Sequence, residues 1–325
     1  LVPLLSESQN FDDVQLLLTI LERGGDLETS LGLLRKSENQ FPDIALYLRL
    51  KQASFLGRQG RKKSALAILE SVKRKAGNDV GLALELGGRY VELGAYKKAA
   101  AIYRRLLTQT PSSIRLRMTL AHLQLEMDQP KKSLELLSQI PGRNLPPQGK
   151  IIRAHAHVAL DQVKDAVKAL REAEQKALAS EKKGRESVLD VRFYTFLASL
   201  LDKQGNLEQA CEELDKALKR RPESAVAANF KGYLLADHNR NLQEAKELIA
   251  MAVEKEPRNP AYLDSMAWVH YRLGNQQKAL RYILRALGQL EKPAAEPVIL
   301  HHAGDILKAN AFPVAAIGYW QRAVK

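Results

Sequence analysis

The chain has 325 residues, of which 45% are hydrophobic, 27% charged and 6% aromatic, and its net charge is +13. That composition excludes a disordered chain, and no run approaches the roughly 18 to 20 apolar residues that a membrane-spanning helix needs. A single cysteine, Cys211, excludes an internal disulfide and a multi-cysteine zinc site, while the excess of Lys and Arg requires an acidic partner or surface to be weighed.

The chain opens Leu1-Val2-Pro3, without an initiator Met or a basic leader, and reads as trimmed at both ends. From there one pattern recurs. A small residue appears as Ser30, Ala65, Ala99, Ser133, Ala166, Ala210, Ala245, Ala279 and Ala316, at spacings of 35, 34, 34, 33, 44, 35, 34 and 37. A second small residue precedes it as Ala53, Gly87, Ala121, Ala154, Ala198, Gly232, Ala267 and Gly304; only the first copy has a large residue there, Leu18. Large apolar residues follow with helical periodicity, as Tyr194, Leu197, Leu201, Leu214 and Leu218 do in the sixth copy. Gly25, Gly60, Gly94, Gly205 and Gly274 mark bends between paired helices, and Pro42, Pro111, Pro222 and Pro257 close the second helix or the linker after it.

The pattern predicts about nine helical hairpins, each covering the apolar flank of the one before it. Three places depart from it. The fourth copy ends at Ile140-Pro141 and is followed by Pro146 and Pro147, a kink or joint that divides the chain into residues 1–141, with about four copies, and 142–325, with about five. About ten extra residues near Lys176 to Asp190 predict a longer second helix or an enlarged loop. Pro293 to Pro297 forms a stiff linker before the last hairpin.

In the third copy, Leu86-Gly87, Tyr90, Gly94, Tyr96, Ala99, Tyr103, Leu106-Leu107 and Pro111 fall at positions 7, 8, 11, 15, 17, 20, 24, 27, 28 and 32 of a 34-residue unit. This resembles the tetratricopeptide repeat. The resemblance implies an all-α, right-handed superhelical solenoid whose first helices line a concave groove through positions 2, 5, 9, 12 and 13. Transferred to the last three copies, those positions give Asn229, Tyr233 and Asp237, then Asp264, Trp268, Tyr271 and Arg272, then His301, Asp305 and Lys308. Large rigid aromatics beside hydrogen-bonding groups suit peptide binding, with a core position as the alternative for Trp268 and Tyr271. Earlier copies present Gln15, Leu50, Ser54, Leu84, Gly88, Met118, His122 and Ile151, a less polar strip compatible with self-association. Some family members clamp chaperone tails with Lys at position 5 and Asn at position 9. Here those positions read Gln15/Thr19, Leu50/Ser54 and Leu84/Gly88, so that clamp is absent.

Catalytic motifs are missing: no phosphate-binding glycine loop, no H-E-x-x-H and no C-x-x-C occurs. His301 and Asp305 share a helix face, yet two ligands do not make a metal site. Of the neighbouring His155 and His157, the second takes a packing position. The expectation is a chain without catalytic residues, metal or cofactor.

A narrower resemblance covers Gly232-Tyr233-Leu234-Leu235-Ala236-Asp237, Asn241 to Ala245, Tyr262 to Gly274, and the block around Ala303-Gly304-Asp305 and Tyr319-Trp320. These residues are similar to the C-terminal repeats of bacterial tetratricopeptide proteins, many of them outer-membrane lipoproteins. It implies a scaffold or adaptor with protein or peptide partners, either assembling a cell-envelope complex or delivering substrates to a processing protease. It also implies a periplasmic location, with an outer-membrane anchor through an N-terminal lipid site outside these residues; a cytoplasmic one stays open. The alternative function is nucleic-acid binding through the basic surface, which the lack of aromatics among the basic residues disfavours.

Overall fold

The computed structural model describes residues 11–24, 26–184, 187–291 and 296–324. Gly25 and Pro293 to Ala295, singled out above, lie outside the described residues, as does the side chain of Leu18. Among the described residues there are eighteen α-helices, no strand, and one 3-10 turn at Pro42–Ile44. They pair in chain order: α1 (Phe11–Gly24) with α2 (Leu27–Gln40), α3 (Ala45–Arg58) with α4 (Lys62–Lys75), α5 (Val80–Glu92) with α6 (Tyr96–Gln109), and α7 (Ile114–Glu126) with α8 (Pro130–Ser138). Helices α9 (Pro147–Val158) and α10 (Val163–Glu181) follow in sequence, and the pairing resumes with α11 (Val191–Lys203) and α12 (Leu207–Arg220), and α13 (Ala225–Asp237) and α14 (Leu242–Lys255). It ends with α15 (Pro260–Arg272) and α16 (Gln276–Leu287), then α17 (Pro297–Ala309) and α18 (Pro313–Ala323). These are nine copies, as the spacing predicts. About half of the extra residues of the fifth copy lengthen its second helix, α10, to 19 residues against 14 in α12, and the rest fall between Glu181 and Val191.

The two helices of a copy start by different means. Five odd-numbered helices begin on side-chain caps: Asp79, Ser113, Asp190, Ser224 and Asn259 each accept a hydrogen bond from a backbone N–H two or three residues on. Helices α3, α9 and α17 have no such bond, and in the first copy Asp26 caps α2 instead. The helices α4, α6, α8, α12, α14, α16 and α18 follow a tight reversal in which one residue sits at positive φ and the next N–H reaches back five residues, as from Ala95 to the Tyr90 carbonyl at 2.8 Å and from Asn275 to His270 at 2.8 Å. Gly94 (φ 64°) and Gly274 (φ 76°) fill that left-handed position at no steric cost, and Asp128, Asn239 and Ala311 fill it elsewhere. The seventh copy holds one more residue than its neighbours in this reversal and adopts positive φ twice, at Asn239 and Asn241.

The small residues are where two helices press together. Ala65, Ala99, Ala210, Ala245, Ala279 and Ala316 are all fully buried. A Cβ added to Gly232 would lie 2.6 Å from the Ile249 side chain and 2.8 Å from the Ala245 carbonyl, and one added to Gly304 would overlap the Trp320 indole. Only a glycine permits either approach.

The chain divides into two compact units, one ending at Leu160 and the other beginning at Asp161. The first buries a continuous core from Val14 to Leu123 and a smaller one of Ala121, Leu137, Ile140 and Leu145. In the second, α10 and α12 are tied by buried charges: the side chain of Glu213, 1% exposed, accepts from Arg171 at 2.6 Å and from Lys216 at 3.0 Å, and Glu174 accepts from both cations as well. Such a pair is costly to break, because one charge is then stranded out of water.

Candidate partner-binding surfaces

In the second unit, most of the residues expected to line a groove gather around one side chain that the sequence reading passed over. His302, 4% exposed, stacks on the Trp268 ring at 4.0 Å between centroids, and Trp268 stacks in turn on Tyr271 at 5.1 Å. The His302 Nδ1 lies 2.9 Å from the Asp264 carboxylate, itself 4% exposed, and the Tyr233 ring is 6.0 Å from the imidazole. Trp268 Nε1 donates to Asp237 at 3.1 Å, Arg272 donates to the Asp237 carbonyl at 2.6 Å, and the Arg272 guanidinium sits 4.8 Å above the indole. Burial, reinforced by Asp237, Asp264 and Asp202, pushes the Tyr233 phenol above its ordinary range.

Tyr233 and Asp237 of α13 and Asp264, Trp268, Tyr271 and Arg272 of α15 therefore form one polar-aromatic wall, closed by His302 of α17. Trp268, only 5% exposed, and Asp264 are inside it. Tyr233 and Tyr271 are half-buried and Arg272 reaches solvent. Asn229 is half-buried, with an Oδ1 that meets no hydrogen-bond donor. His301 points to solvent, 3.7 Å from Asp305, whose carboxylate also accepts from Trp320 Nε1 at 3.1 Å. Among the described residues no three His, Cys, Asp or Glu side chains converge on a point that could hold a metal. The signal for His302 was the pairing of an acid, Asp264, with a histidine one copy later, where stacking brings the two helices together.

The first unit offers open space instead. Between α5 and α7 lies a cleft of about 820 Å³ with Val80, Leu84, Tyr103, Leu106 and Leu116 among its walls. Val80 and Leu84 are 51% and 41% exposed, which is high for aliphatic side chains on adjacent turns. Glu85, Arg89 and Glu92 edge the cleft, with Arg89 bonded to both carboxylates, so that edge keeps one net negative charge. Gly88 lies in the floor. Its neighbour Gly87 is forced by packing, since a Cβ there would come within 2.7 Å of the Tyr103 ring, but a Cβ on Gly88 would meet nothing within 4 Å. A second opening, of about 510 Å³, is lined by Met118, His122, Pro146 and Ile152. Leu84, Gly88, Met118 and His122 are inner positions of the less polar strip read from the sequence.

Comparison with known proteins gives a consistent picture. Two family profiles described as tetratricopeptide repeat match, one over residues 90–156 and the other over 50–114, 153–225 and 195–260. The TPR repeat-containing protein PA4667 of Pseudomonas aeruginosa is 42% identical over 88 residues, which is 27% of this chain and 15% of that protein. Cellulose synthase operon protein C of Pseudomonas fluorescens is 25% identical over 250 residues, 75% of this chain and 19% of that protein. The chain thus spans less than a fifth of the length of either relative. Among solved structures, the human IFIT1 dimer with PPP-AAAA aligns with a TM-score of 0.52 at 20% identity, covering 99% of this chain and 80% of that one. The Cut9 complex with Hcn1 aligns with 0.51 at 11% identity, covering 96% and 66%. At these identities the likeness is one of fold.

Proposed function

Because the chain belongs to the tetratricopeptide repeat family, whose members are in general non-catalytic scaffolds, we propose that it holds a peptide segment of a partner protein in the cleft between α5 and α7. The observation that carries this reading is Gly88. A glycine inside a helix costs about 0.5–1 kcal/mol relative to alanine, and nothing in the fold needs the missing side chain here. The space it leaves lies in the floor of an apolar cleft, where a bound backbone or side chain would come closest. The polar-aromatic wall of the second unit is a second contact surface within the same proposal, acting through Tyr233, Tyr271, Arg272 and His301, with Asp264 and Trp268 holding its shape.

The test is Gly88→Leu, which adds an aliphatic side chain to the cleft lining at a position where the Cβ meets nothing within 4 Å. Partners recovered with the unaltered chain and identified by mass spectrometry should be lost with this variant while its thermal unfolding is retained. Recovery of the same partners in the same yield would refute the site. Arg272→Ala and Tyr271→Ala report separately on the wall. Adaptor work in a bacterial envelope, whether assembling a complex or handing substrates to a protease, and a periplasmic location belong to this proposal through the narrower resemblance. Cell fractionation of the intact gene product tests the location.

A further inference from the structure

The second helices of the third and fourth copies enclose a different cleft, of about 520 Å³, that shares no lining residue with the one around Gly88. Its floor is aliphatic: Leu107, Met127 and Leu136 are half-buried side chains packed on the core beneath, joined by the buried Leu120. Its rim is cationic, with Lys97, Arg104 and Lys132 all exposed and none of them in an ion pair or hydrogen bond among the described residues. One acidic side chain, Glu135, also lines it.

The rim charges do not serve the fold. Lys97 and Lys132 stand in the first turns of α6 and α8, neither of which carries an acidic residue there. A helix N-terminus is already electropositive, so a cation in the first turn is unfavourable where an acid would stabilise. The same choice is made in α4, which opens with Lys62 and Lys63. Residues 61–117 contain thirteen Lys or Arg against four Asp or Glu, so the local field is strongly positive and little internal charge offsets it. Clustered cations of the second unit are handled otherwise, with Arg171, Lys216, Arg220 and Lys231 each bonded to carboxylates. Three successive copies break the helix-charge rule here. Lys98 is paired with Glu70 and Arg61 with Glu28, but the rim cations are left without a carboxylate among the described residues, the mark of a place where function has overridden local stability.

We propose that this cleft is a docking site for an acidic segment of a partner protein that also carries aliphatic side chains. Carboxylates of the segment meet Lys97, Arg104 and Lys132, and its apolar side chains cover Leu107, Met127 and Leu136. Nucleic acid fits less well, since no aromatic ring lines the cleft to stack a base and the floor is aliphatic. A lipid surface is flat and would leave a concave floor unfilled.

The probe is a fluorescein-labelled peptide built of Glu-Glu-Leu-Leu blocks, titrated with the purified chain and followed by anisotropy. Parallel titrations use labelled polyglutamate, poly-uridine RNA and vesicles containing phosphatidylglycerol. Lys97→Glu/Lys132→Glu should weaken peptide binding about tenfold or more. Lys164→Glu/Lys168→Glu, which makes the same change of net charge at two exposed residues outside the cleft lining, should alter it by less than about twofold, because exposed charges that do not touch the peptide are largely screened by salt. Polyglutamate should bind more weakly than the leucine-bearing peptide. Equal losses in the two double variants, no peptide binding, or RNA or vesicles bound more tightly than the peptide would each overturn the proposal.

Discussion

Alanine at two helical glycines should change stability in opposite directions. At Gly88 the added methyl meets nothing within 4 Å, so the substitution keeps only the helix-propensity gain and the reduced freedom of the unfolded chain. We expect stabilisation of about 0.5–1 kcal/mol. At Gly232 the same gain is opposed by overlap with the Ile249 side chain at 2.6 Å and, more severely, with the backbone carbonyl of Ala245 at 2.8 Å. The side chain can swing away, whereas the carbonyl moves only if α13 and α14 separate. Overpacking of this kind costs about 1–3 kcal/mol, so the net effect is a loss of about 0.5–2 kcal/mol. The assay is urea unfolding followed by far-UV circular dichroism, comparing midpoints at unchanged slope. Destabilisation by Gly88→Ala would show that its Cβ space is needed by the fold and would remove the argument for a ligand there. A neutral Gly232→Ala would refute the claim that close helix approach sets the small positions.

Removing either partner of the buried Asp264–His302 pair strands the other. Asp264→Ala and His302→Ala should each cost about 3 kcal/mol, and the double variant much less than their sum, as a double-mutant cycle in urea would measure. Ala311 occupies the left-handed region at φ 64° without the polar side chain that eases it in Asp or Asn, so Ala311→Gly should stabilise by about 1 kcal/mol in the same assay. His270 is buried against Tyr282, and burial, followed by Lys278, Lys246 and Arg281, holds its pKa below the unfolded value of 6.5. The unfolded chain then binds the proton more readily, so this contribution is present above pH 6.5 and is lost as the pH falls through the folded value. Unfolding midpoints should drop as the pH falls below about 6.5, and His270→Phe should flatten that slope.

Much of the fold is legible in the sequence because the repeat is a property of each copy alone. The small residues at two fixed places and the large apolar stripe declare the hairpin, and the spacing of 44 announces the long α10. The reversals were only half readable. Glycine flags them at Gly94 and Gly274, while Asp128, Asn239 and Ala311 take the same left-handed position under residue types that do so less often. The binding surfaces were harder still, because they depend on which copies meet. Position counting brought Trp268 and Asp264 to the groove, and the stack on His302, 38 residues from Asp264, drew both into the wall. Nothing in one copy separates the packed Gly87 from the open Gly88. That distinction rests on where the Tyr103 ring comes to lie.

The end of the first compact unit at Leu160 has a consequence for how the chain can be divided. The period of the repeat records what was duplicated, and it closes after α8 and again after α10. Cohesion follows a different meter. Leu145 lies so close to Gly149 at the start of α9 that any side chain there would collide with it, and the cluster of Leu137, Ile140 and Leu145 is covered partly by Ile152 of that helix. A cut made at the repeat boundary before Pro147 would therefore strip the lid from a finished core. One made after Leu160 leaves it shut. Inheritance and cooperativity are out of step in this molecule by half a hairpin.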